Sequence, residues 1–396
     1  MSHHPAADRA SRRIRYGLMS GGLANFLALY YVQPLLPAVA GRFGVSASES
    51  TAVLSVATIT MAVALLVVGP LSDIAGRVMI MRLSLVGSGV LGVAAAFAPT
   101  WHSLLAVRGL QGVALAGLPA VALAYLREET PARAHVRANA TYIMGTALGG
   151  AAGRLLPGPL HELGGWTGAT ATVGGITLLS AAGLWVLVPP SRRFAKAPPR
   201  WGSLLGNTAR TVRDPTLMAL CLVGATTMGA FVGLCNALAF RLEAAPFLLG
   251  GAAALAFLAY PVGIPAPLAA GRLATLRGRG PAALVGVALL LAGVLLTLAA
   301  ALPAIVAGLG LLTFAFLGTH SLVSGWVSDR AQRIGVGAGQ AAGLYLLAYY
   351  AGSSVFGALA AYQWQTAGWP AVIAAGAALA LAAGLLVILA RRFDTG

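Results

Sequence analysis

The stretch GPLSDIAGRVMIMR, residues 69–82, lies between two long apolar runs of the sequence. Gly69 and Gly76 permit a sharp turn and a close approach of two backbones. Asp73 and Arg77 place a carboxylate and a guanidinium where a hydrophobic run ends, which is where a membrane-spanning helix meets water. The stretch therefore predicts a tight, charged loop between two spans that acts as a gate.

The composition around this loop is that of an integral membrane protein. Of the 396 residues, 58% are hydrophobic and only 9% are charged, and the mean hydropathy is +0.84. These values lie outside the range of soluble domains. Runs of about twenty apolar residues, each long enough to cross about 30 Å of hydrocarbon as a helix, recur along the whole chain. We predict twelve spans, at residues 16–38, 48–71, 79–98, 101–126, 138–160, 164–188, 215–240, 247–270, 281–300, 302–327, 337–361 and 367–390.

The net charge of +16 is distributed asymmetrically, and this asymmetry indicates the orientation of the chain. An even number of spans places both termini on one side of the membrane. Most Lys and Arg residues fall in segments on that side, and the exceptions are Arg42, Arg108, Arg154 and Arg241. The positive-inside rule then predicts that both termini are cytoplasmic, in a bacterial-type inner membrane. This explains the charge without nucleic acid as a partner.

A basic segment that contains four prolines divides the spans into two sets of six. We predict that it forms a solvated linker that contacts anionic lipid. The predicted organisation is a cytoplasmic segment, a six-helix bundle, the linker, a second six-helix bundle and a cytoplasmic tail, at residues 1–15, 16–188, 189–214, 215–390 and 391–396.

The charged loop has a counterpart in the second half of the chain. A shift of about 202 residues aligns the two loops, as expected for a parallel repeat of six helices. Thr275 then stands in the place of Asp73, so the second loop lacks that carboxylate. With one more residue of shift, Gly149 of span five matches Gly352 of span eleven.

Span four contains LLAVRGLQGVALAG, in which Arg108 is followed three residues later by Gln111 and Gly112. This pattern resembles the helix 4 motif of the major facilitator superfamily, and the stretch 69–82 resembles the superfamily's loop between helices 2 and 3. YYVQPLLPAVAGRFGVS, LQGVALAGLPAVALAYLREE and GQAAGLYLLAYYAGSSVFG further resemble YnfM-like transporters of the drug and sugar efflux type. The resemblance implies an all-α polytopic membrane protein, with twelve transmembrane helices in two pseudo-symmetric six-helix bundles, that works by alternating access.

Proton coupling needs a titratable group inside the membrane. All ten acidic residues fall in loops or at span ends, so the mid-membrane carboxylate that many proton-coupled transporters use is missing from the sequence. His320, well inside span ten, is the leading candidate, because an imidazole titrates near physiological pH. The alternative is a neutral histidine that is hydrogen-bonded between helices.

Arg108 and Arg154 are predicted to lie in the outer half of the membrane, where an unsatisfied charge costs several kcal/mol. With Gln111, they are candidates for binding an anionic or strongly polar group of the substrate. The alternatives are that Arg108 is satisfied by backbone carbonyls and that Arg154 extends outward to water.

Spans one and eleven supply polar groups and aromatic faces to otherwise apolar helices. Such mixtures suit a pocket for amphipathic molecules, although tyrosine and asparagine also serve helix packing. The candidate substrate residues on these spans are Asn25, Tyr30, Gln33, Tyr345 and Tyr349.

The first loop is predicted to latch the transporter from the cytoplasmic side. The carboxylate of Asp73 would be attracted to the positive N-terminus of span eleven, near Gly339 and Gln340, and to Arg127 at the end of span four. The candidate gating residues are Gly69, Asp73, Gly76, Arg77 and Arg127, with Gly271, Thr275, Gly278 and Arg279 in the second half.

The predicted function is secondary active transport, in the form of proton-coupled efflux of small amphipathic molecules or drugs. An importer or facilitator of a small anionic metabolite is the alternative within transport, favoured by Arg108, Arg154 and the missing carboxylate. A membrane sensor or membrane-embedded enzyme is disfavoured, because the sequence has no HExxH spacing and no suitable pair of nucleophile and base. We expect no cofactor or metal, protons and membrane lipids as partners beside the substrate, and function as a monomer.

Overall fold

The structure is a computed structural model, and it describes residues 5–131, 134–191, 194 and 201–394. In chain order the α-helices are α1 (Pro5–Tyr30), α2 (Leu36–Phe43), α3 (Ala47–Ser50), α4 (Ala52–Ala75), α5 (Arg77–Ala96), α6 (Trp101–Leu115), α7 (Gly117–Glu129), α8 (His135–Leu155), α9 (Pro157–Leu187), α10 (Trp201–Arg213), α11 (Pro215–Glu243), α12 (Ala266–Arg277), α13 (Arg279–Leu296), α14 (Leu302–Arg333) and α15 (Ala338–Asp394). Two 3-10 helices occupy Gln33–Leu35 and Gly250–Gly263.

Within these described residues, ten helical stretches are long and apolar enough to cross a membrane. α8 is less apolar than they are, because it contains many small and polar residues. α15 is 57 residues long and is divided at Gly368, whose backbone conformation is not helical. When α8 is included and α15 is counted as two, the spans number twelve, which agrees with the predicted fold class.

Backbone contacts divide the chain into two compact units. Unit 1 comprises Met1–Val32 and Val63–Pro199, and unit 2 comprises Gln33–Ala62 and Arg200–Gly396. The segment 33–62, which falls inside the predicted first bundle, thus groups with helices of the second half. In unit 1, the core lies between α1, α5, α7 and α9, and its fully buried side chains include Leu18, Leu85, Leu118 and Leu184.

Close helix contacts repeat in the two halves of the chain. A Cβ atom added at Gly149 of α8 would collide with the backbone of Leu23 on α1. Gly352 of α15 has the same relation to Ala225 of α11. Small residues let membrane helices approach in this way, since their backbones can then pack directly together. These two glycines are aligned by the sequence repeat, so the repeat is also visible in the packing.

Two regions differ from the prediction. Part of the predicted solvated linker forms α10, and Asp214 after it caps α11, because its Oδ1 accepts a hydrogen bond from the backbone N–H of Leu217 at 2.8 Å. The first part of span eight, Gly250–Gly263, is a 3-10 helix that contains Pro261. Proline lacks an N–H donor and interrupts the α-helical hydrogen-bond pattern.

Candidate functional site

α1 ends at Tyr30, inside the predicted first span, and the last carbonyls of a helix have no partner within it. Arg108 on α6 supplies two donors at this point. Its Nη1 donates to the carbonyl oxygen of Ala28 and its Nη2 to that of Leu29, both at 3.0 Å. The Arg108 side chain is fully buried. It therefore caps the C-terminus of α1, where the helix dipole also favours a positive charge.

Gln111 extends this network to a third helix. Its Oε1 accepts from Nη1 of Arg108 at 2.6 Å, and its Nε2 donates to the carbonyl oxygen of Ser88 on α5 at 2.9 Å. The guanidinium carbon of Arg108 also lies 5.2 Å from the ring centroid of Tyr31. Arg108 thus makes the carbonyl contacts that the sequence left open as one of two alternatives. It also contacts Gln111, another candidate residue.

Arg154 on α8 is also buried, with 1% of its surface exposed. Its Nη1 donates to the carbonyl oxygen of Gly150 at 2.9 Å, and its guanidinium carbon lies 4.2 Å from the ring centroid of Tyr30. A cation over an aromatic face gains about 2 kcal/mol when both are shielded from water. The alternative in which Arg154 extends outward to water does not describe this structure. Two candidate residues, Arg154 and Tyr30, are instead in contact.

Asn25 lies on α1 inside unit 1 and is fully buried. Among the described residues, neither its Oδ1 nor its Nδ2 has a hydrogen-bond partner. A buried amide without partners is uncommon, because it costs about 1–3 kcal/mol. Asn25 is thus a polar group held in the interior of the unit, on the helix whose end Arg108 caps.

The remaining candidates meet in unit 2. Nδ1 of His320 on α14 shares a hydrogen bond of 2.8 Å with the hydroxyl of Tyr345 on α15. The imidazole centroid lies 5.6 Å from the ring of Tyr345 and 4.8 Å from the ring of Tyr349. His320 is therefore hydrogen-bonded between two helices, and it is partly exposed rather than sealed in the core.

Two phenylalanines that the sequence analysis did not select continue this cluster. The rings of Phe231 on α11 and Phe316 on α14 are stacked, with centroids 4.4 Å apart and planes 2° from parallel. Phe316 also lies 6.1 Å from His320 and 6.0 Å from Tyr349. The only sequence signal for Phe316 is its position four residues before His320, one helical turn away. We call Phe231, Phe316, His320, Tyr345 and Tyr349 the aromatic cluster.

Gln33 contacts a residue that the sequence analysis also missed. Its Nε2 donates to Oδ1 of Asn236 on α11 at 2.7 Å, and both side chains are buried. The two residues are 203 positions apart, the shift that aligns Gly149 with Gly352. The repeat was therefore a usable signal, because it places Gln33 of the first half on Asn236 of the second.

We predict that Gln33 and Asn236 stabilise unit 2 as a pair. Replacing either one by leucine leaves a buried amide of the other without this partner, at a cost of about 1–3 kcal/mol. The double variant Gln33→Leu/Asn236→Leu should be more stable than the sum of the single losses implies. Thermal unfolding of the four purified proteins in one detergent measures this coupling. Strictly additive losses would mean that the pair contributes no energy of its own.

The first charged loop is organised by Arg77. Its Nη1 lies 2.6 Å from a carboxylate oxygen of Asp73, and its Nη2 lies 3.1 Å from one of Glu128 at the end of α7. Gly76, with a φ of 99°, provides the turn before α5. Asp73 is thus paired with Arg77, four residues later and across the turn at Gly76, whereas the sequence analysis selected Arg127. Glu128, beside Arg127, contacts Arg77 from the end of α7.

The second loop keeps an ion pair although it has lost a carboxylate. Nη2 of Arg279 lies 2.5 Å from a carboxylate oxygen of Asp329 on α14. Thr275 donates its hydroxyl to the carbonyl oxygen of Gly271, within its own helix. Gly278, with a φ of 85°, makes the same turn as Gly76. Each loop therefore holds its arginine with an acidic residue from the end of a later helix.

No metal site is present among the residues that the structure describes, where His, Cys, Asp and Glu form no group of three or more that could hold an ion. Cys221 and Cys235 are both buried free thiols on α11. The candidate residues offer hydrogen-bonding groups, aromatic rings, two buried guanidiniums and the imidazole of His320.

The amino-acid sequence is similar to a known family of membrane transporters. Residues 18–339 match the family model described as Major Facilitator Superfamily. The inner membrane transport protein YnfM of Escherichia coli is 39% identical, over 95% of this chain and 89% of that protein. The MFS-type transporter YybF of Bacillus subtilis is 36% identical, over 91% of this chain and 89% of that protein.

Solved structures share the fold at low sequence identity. The human organic anion transporter MFSD10 superposes with a TM-score of 0.71 at 19% identity, covering 95% of this chain and 99% of that one. A bacterial homologue of the human lysosomal transporter Spinster, inward-facing and occupied, gives a TM-score of 0.70 at 16% identity, covering 96% and 95%. These likenesses concern the fold alone.

Proposed function

This chain belongs to the Major Facilitator Superfamily, and we propose that it is a secondary active transporter that exports small amphipathic molecules in exchange for protons. The aromatic cluster of unit 2 carries this proposal. Its rings are buried against one another around the partly exposed imidazole of His320. A substrate that separates these rings would meet aromatic faces for its apolar part and the imidazole as a polar contact, while the hydroxyl of Tyr345 orients the imidazole. An imidazole is also the side chain suited to taking up and releasing a proton near neutral pH.

The position of His320 supports its assignment to coupling. It lies near the middle of α14, whereas the acidic residues of the sequence fall in loops or near span ends. A protonated imidazole within a span is costly unless substrate or water compensates it. Proton binding and substrate binding at the aromatic cluster would then influence each other, which is the requirement for exchange.

We further propose that both termini are cytoplasmic, in a bacterial inner membrane. The asymmetry of Lys and Arg along the chain supports this orientation. The similarity to a protein described as an inner membrane transport protein supports the location.

The test is flux through proteoliposomes that contain only the purified protein. A panel of growth inhibitors, applied to cells with and without expression, first identifies compounds whose toxicity the protein lowers. We expect an imposed pH gradient to drive accumulation of such a compound, and a protonophore to stop it. Equal accumulation without the gradient would exclude proton coupling, and chemical conversion without net flux would exclude transport.

A second candidate is uptake of a small organic anion. Two buried guanidiniums, Arg108 and Arg154, favour it, because a positive charge in a span lowers the cost of bringing an anion there. The fold is also that of a human organic anion transporter, although this likeness is structural only. The same vesicles distinguish the candidates, because an anion facilitator would equilibrate labelled carboxylates without a pH gradient.

We propose that the two charged loops act as gates and predict unequal contributions from them. The side chains of Arg77 and Glu128 are 15% and 28% exposed, and those of Arg279 and Asp329 are 45% and 47% exposed. Solvent weakens the second pair more, and exposed pairs contribute about 0.2–1 kcal/mol. Arg77→Gln should therefore slow flux about fivefold or more, and Arg279→Gln less than about twofold. Initial rates at matched protein density measure this. Equal slowing in both variants would contradict the predicted difference, and parental flux in Arg77→Gln would contradict a gating role for the first loop.

A further inference from the structure

Unit 2 contains an apolar groove in its membrane-spanning part. The groove has a volume of about 330 Å³ and is lined by α11, by α15 before its break at Gly368 and by α15 after that break. Among the described residues that line it, Gln363 is the single polar one, and the others are glycine, alanine, leucine, valine and phenylalanine. The volume is at the lower end of the range of about 300–1,000 Å³ for small-molecule sites, so the groove suits a slender ligand.

The groove is accessible from an apolar side of α15. Leu359, which lines it, is 40% exposed, and Ala378, which also lines it, is exposed. Leu381 and Leu385 share the helical side of Ala378 and are 64% and 59% exposed. Exposed leucines along one side of a membrane-spanning helix are typical of a surface that contacts lipid. A ligand dissolved in the membrane can therefore enter the groove from the bilayer.

The groove extends over about half of the thickness of a membrane. Gln363 and Val372 both lie near the break in α15, because they are five residues before and four residues after Gly368. Ala382, the last residue of α15 that lines the groove, is ten residues beyond Val372, which is about 15 Å along a helix. The hydrocarbon core of a bilayer is about 30 Å thick. One hydrocarbon chain that starts beside Gln363 would thus end near the middle of the bilayer.

Gln363 lies at the level of the membrane interface, and its amide oxygen has no donor. The rings of Trp364 and Trp369 lie 6.2 Å apart on either side of the break, and tryptophan is enriched where membrane and water meet. Within the described part of the chain, Oε1 of Gln363 is buried and accepts no hydrogen bond. Such an oxygen costs about 1–3 kcal/mol. The groove therefore combines an apolar body with one end that requires a hydrogen-bond donor.

The sequence repeat indicates that helix packing does not require this glutamine. The shift of 203 residues that aligns Gln33 with Asn236 also aligns Gly165 with Gly368, whose φ values are 60° and 75°. The same shift places Leu160 on Gln363. An apolar side chain therefore occupies this position in the first half, and the polar end of the groove is particular to unit 2.

We infer that this groove binds a neutral single-chain amphiphile whose terminal hydroxyl donates a hydrogen bond to Oε1 of Gln363. A phospholipid acyl chain is a poorer occupant, because it ends in an ester, whose oxygens accept hydrogen bonds and do not donate them. A cationic head is disfavoured, because the guanidinium of Arg241 lies 4.4 Å from the ring of Trp369, at the same end of the unit. The site shares no residue with the aromatic cluster, and the inference does not depend on the direction or coupling of transport.

Photolabelling in nanodiscs tests the inference without measuring transport. A long-chain alcohol that carries a diazirine on its chain is compared with its methyl ether, which has the same chain and no donor. The alcohol should label peptides from the segments 356–363 and 372–382 about fivefold more than the ether, the size of the effect of one hydrogen bond. An excess of the plain alcohol should suppress this labelling. Equal labelling by the two probes would overturn the inference, because ordinary acyl chains would then fill the groove as well.

Three variants separate the hydroxyl site from the rest of the groove. Gln363→Leu, which copies the first half of the chain, should abolish the preference for the alcohol and keep the thermal stability of the parent protein. Ala378→Phe should lower labelling by both probes at least about fivefold, because its ring occupies the groove. Leu381→Phe, on the same exposed side of α15 but outside the lining, should be labelled like the parent protein.

Two further outcomes of this experiment would overturn the inference. A preference for the alcohol that persists in Gln363→Leu would mean that the hydroxyl does not bind at Gln363. Labelling that is present in discs with one copy of the protein and lost in discs with two copies would make a second copy of the chain the occupant of the groove.

Discussion

Replacing Arg108 by alanine is expected to abolish transport and to destabilise unit 1 at the same time. The guanidinium donates to Ala28, Leu29 and Gln111, and all of these contacts are buried. Each buried acceptor left without a donor costs about 1–3 kcal/mol. The loss should therefore reach several kcal/mol, and it falls on the point where α1 ends. A lysine at this position keeps the charge, but its single ammonium cannot reproduce the planar fork of donors.

Arg241 provides a matched control, because it does the same structural work elsewhere. It is 8% exposed, and it donates to the carbonyl oxygens of Thr297 at 2.6 Å and Ala299 at 3.0 Å, just beyond α13. Its guanidinium carbon lies 4.4 Å from the ring of Trp369. If Arg108 only caps a helix, Arg108→Ala and Arg241→Ala should lose similar flux for a similar loss of thermal stability.

The expected result is that Arg108→Ala loses at least about tenfold more flux per folded protein than Arg241→Ala, a difference of about 1.4 kcal/mol or more. Thermal unfolding in detergent and initial rates in proteoliposomes measure the two quantities on the same preparations. Arg42→Ala, at an exposed position of α2, should change neither. Normal flux in a stable Arg108→Ala protein would remove Arg108 from the transport machinery.

The sequence was sufficient to predict the twelve spans and the repeat, because both depend on patterns that recur along the whole chain. Twenty apolar residues have one stable form in a bilayer, which is a helix with all its backbone groups paired. The end of α1 at Tyr30 could not be predicted in this way. Hydropathy indicates how long the apolar stretch is. It does not indicate that the helix ends within that stretch, where Arg108 donates hydrogen bonds to the last carbonyl oxygens.

The helix α10 was not predicted within the linker for the opposite reason. Its polar and apolar residues nearly balance, so its mean hydropathy resembles that of a solvated linker. Only the helical period separates the two sides. Asn236 was missed because a single amide in an apolar span has no distinctive neighbours, whereas its alignment with Gln33 required the repeat to be applied residue by residue. Phe231 and Phe316 resemble any buried aromatic residue until their rings are seen to stack.

The two units have different chemistry despite their common origin in a repeat. Unit 1 buries Arg108 and Arg154 with carbonyls and tyrosine rings. Unit 2 places an imidazole among aromatic rings at the aromatic cluster. A repeat that conserves helix packing, as at Gly149 and Gly352, therefore leaves its polar residues free to diverge. Among the described residues, unit 1 thus pairs two buried guanidiniums with tyrosine rings, and unit 2 combines the buried guanidinium of Arg241 with the imidazole of His320.

His320→Gln is expected to remove accumulation driven by the pH gradient while leaving substrate exchange in place. Glutamine keeps a hydrogen-bonding group near Tyr345 but cannot take up a proton near neutral pH. Uphill accumulation should fall at least about tenfold, the size expected when a positioned proton carrier is lost. Exchange of labelled for unlabelled substrate at equal pH should persist, because the rings of Tyr345 and Tyr349 remain.

Tyr345→Phe separates the hydrogen bond from the ring. It removes the hydroxyl that lies 2.8 Å from Nδ1 of His320 and keeps the aromatic face. We expect the pH dependence of uptake to shift while substrate affinity changes little. His102→Gln, at an exposed histidine of α6, should behave as the parent protein. Full gradient-driven accumulation in His320→Gln would assign coupling to another residue, because no protonatable group would then remain at the aromatic cluster near neutral pH.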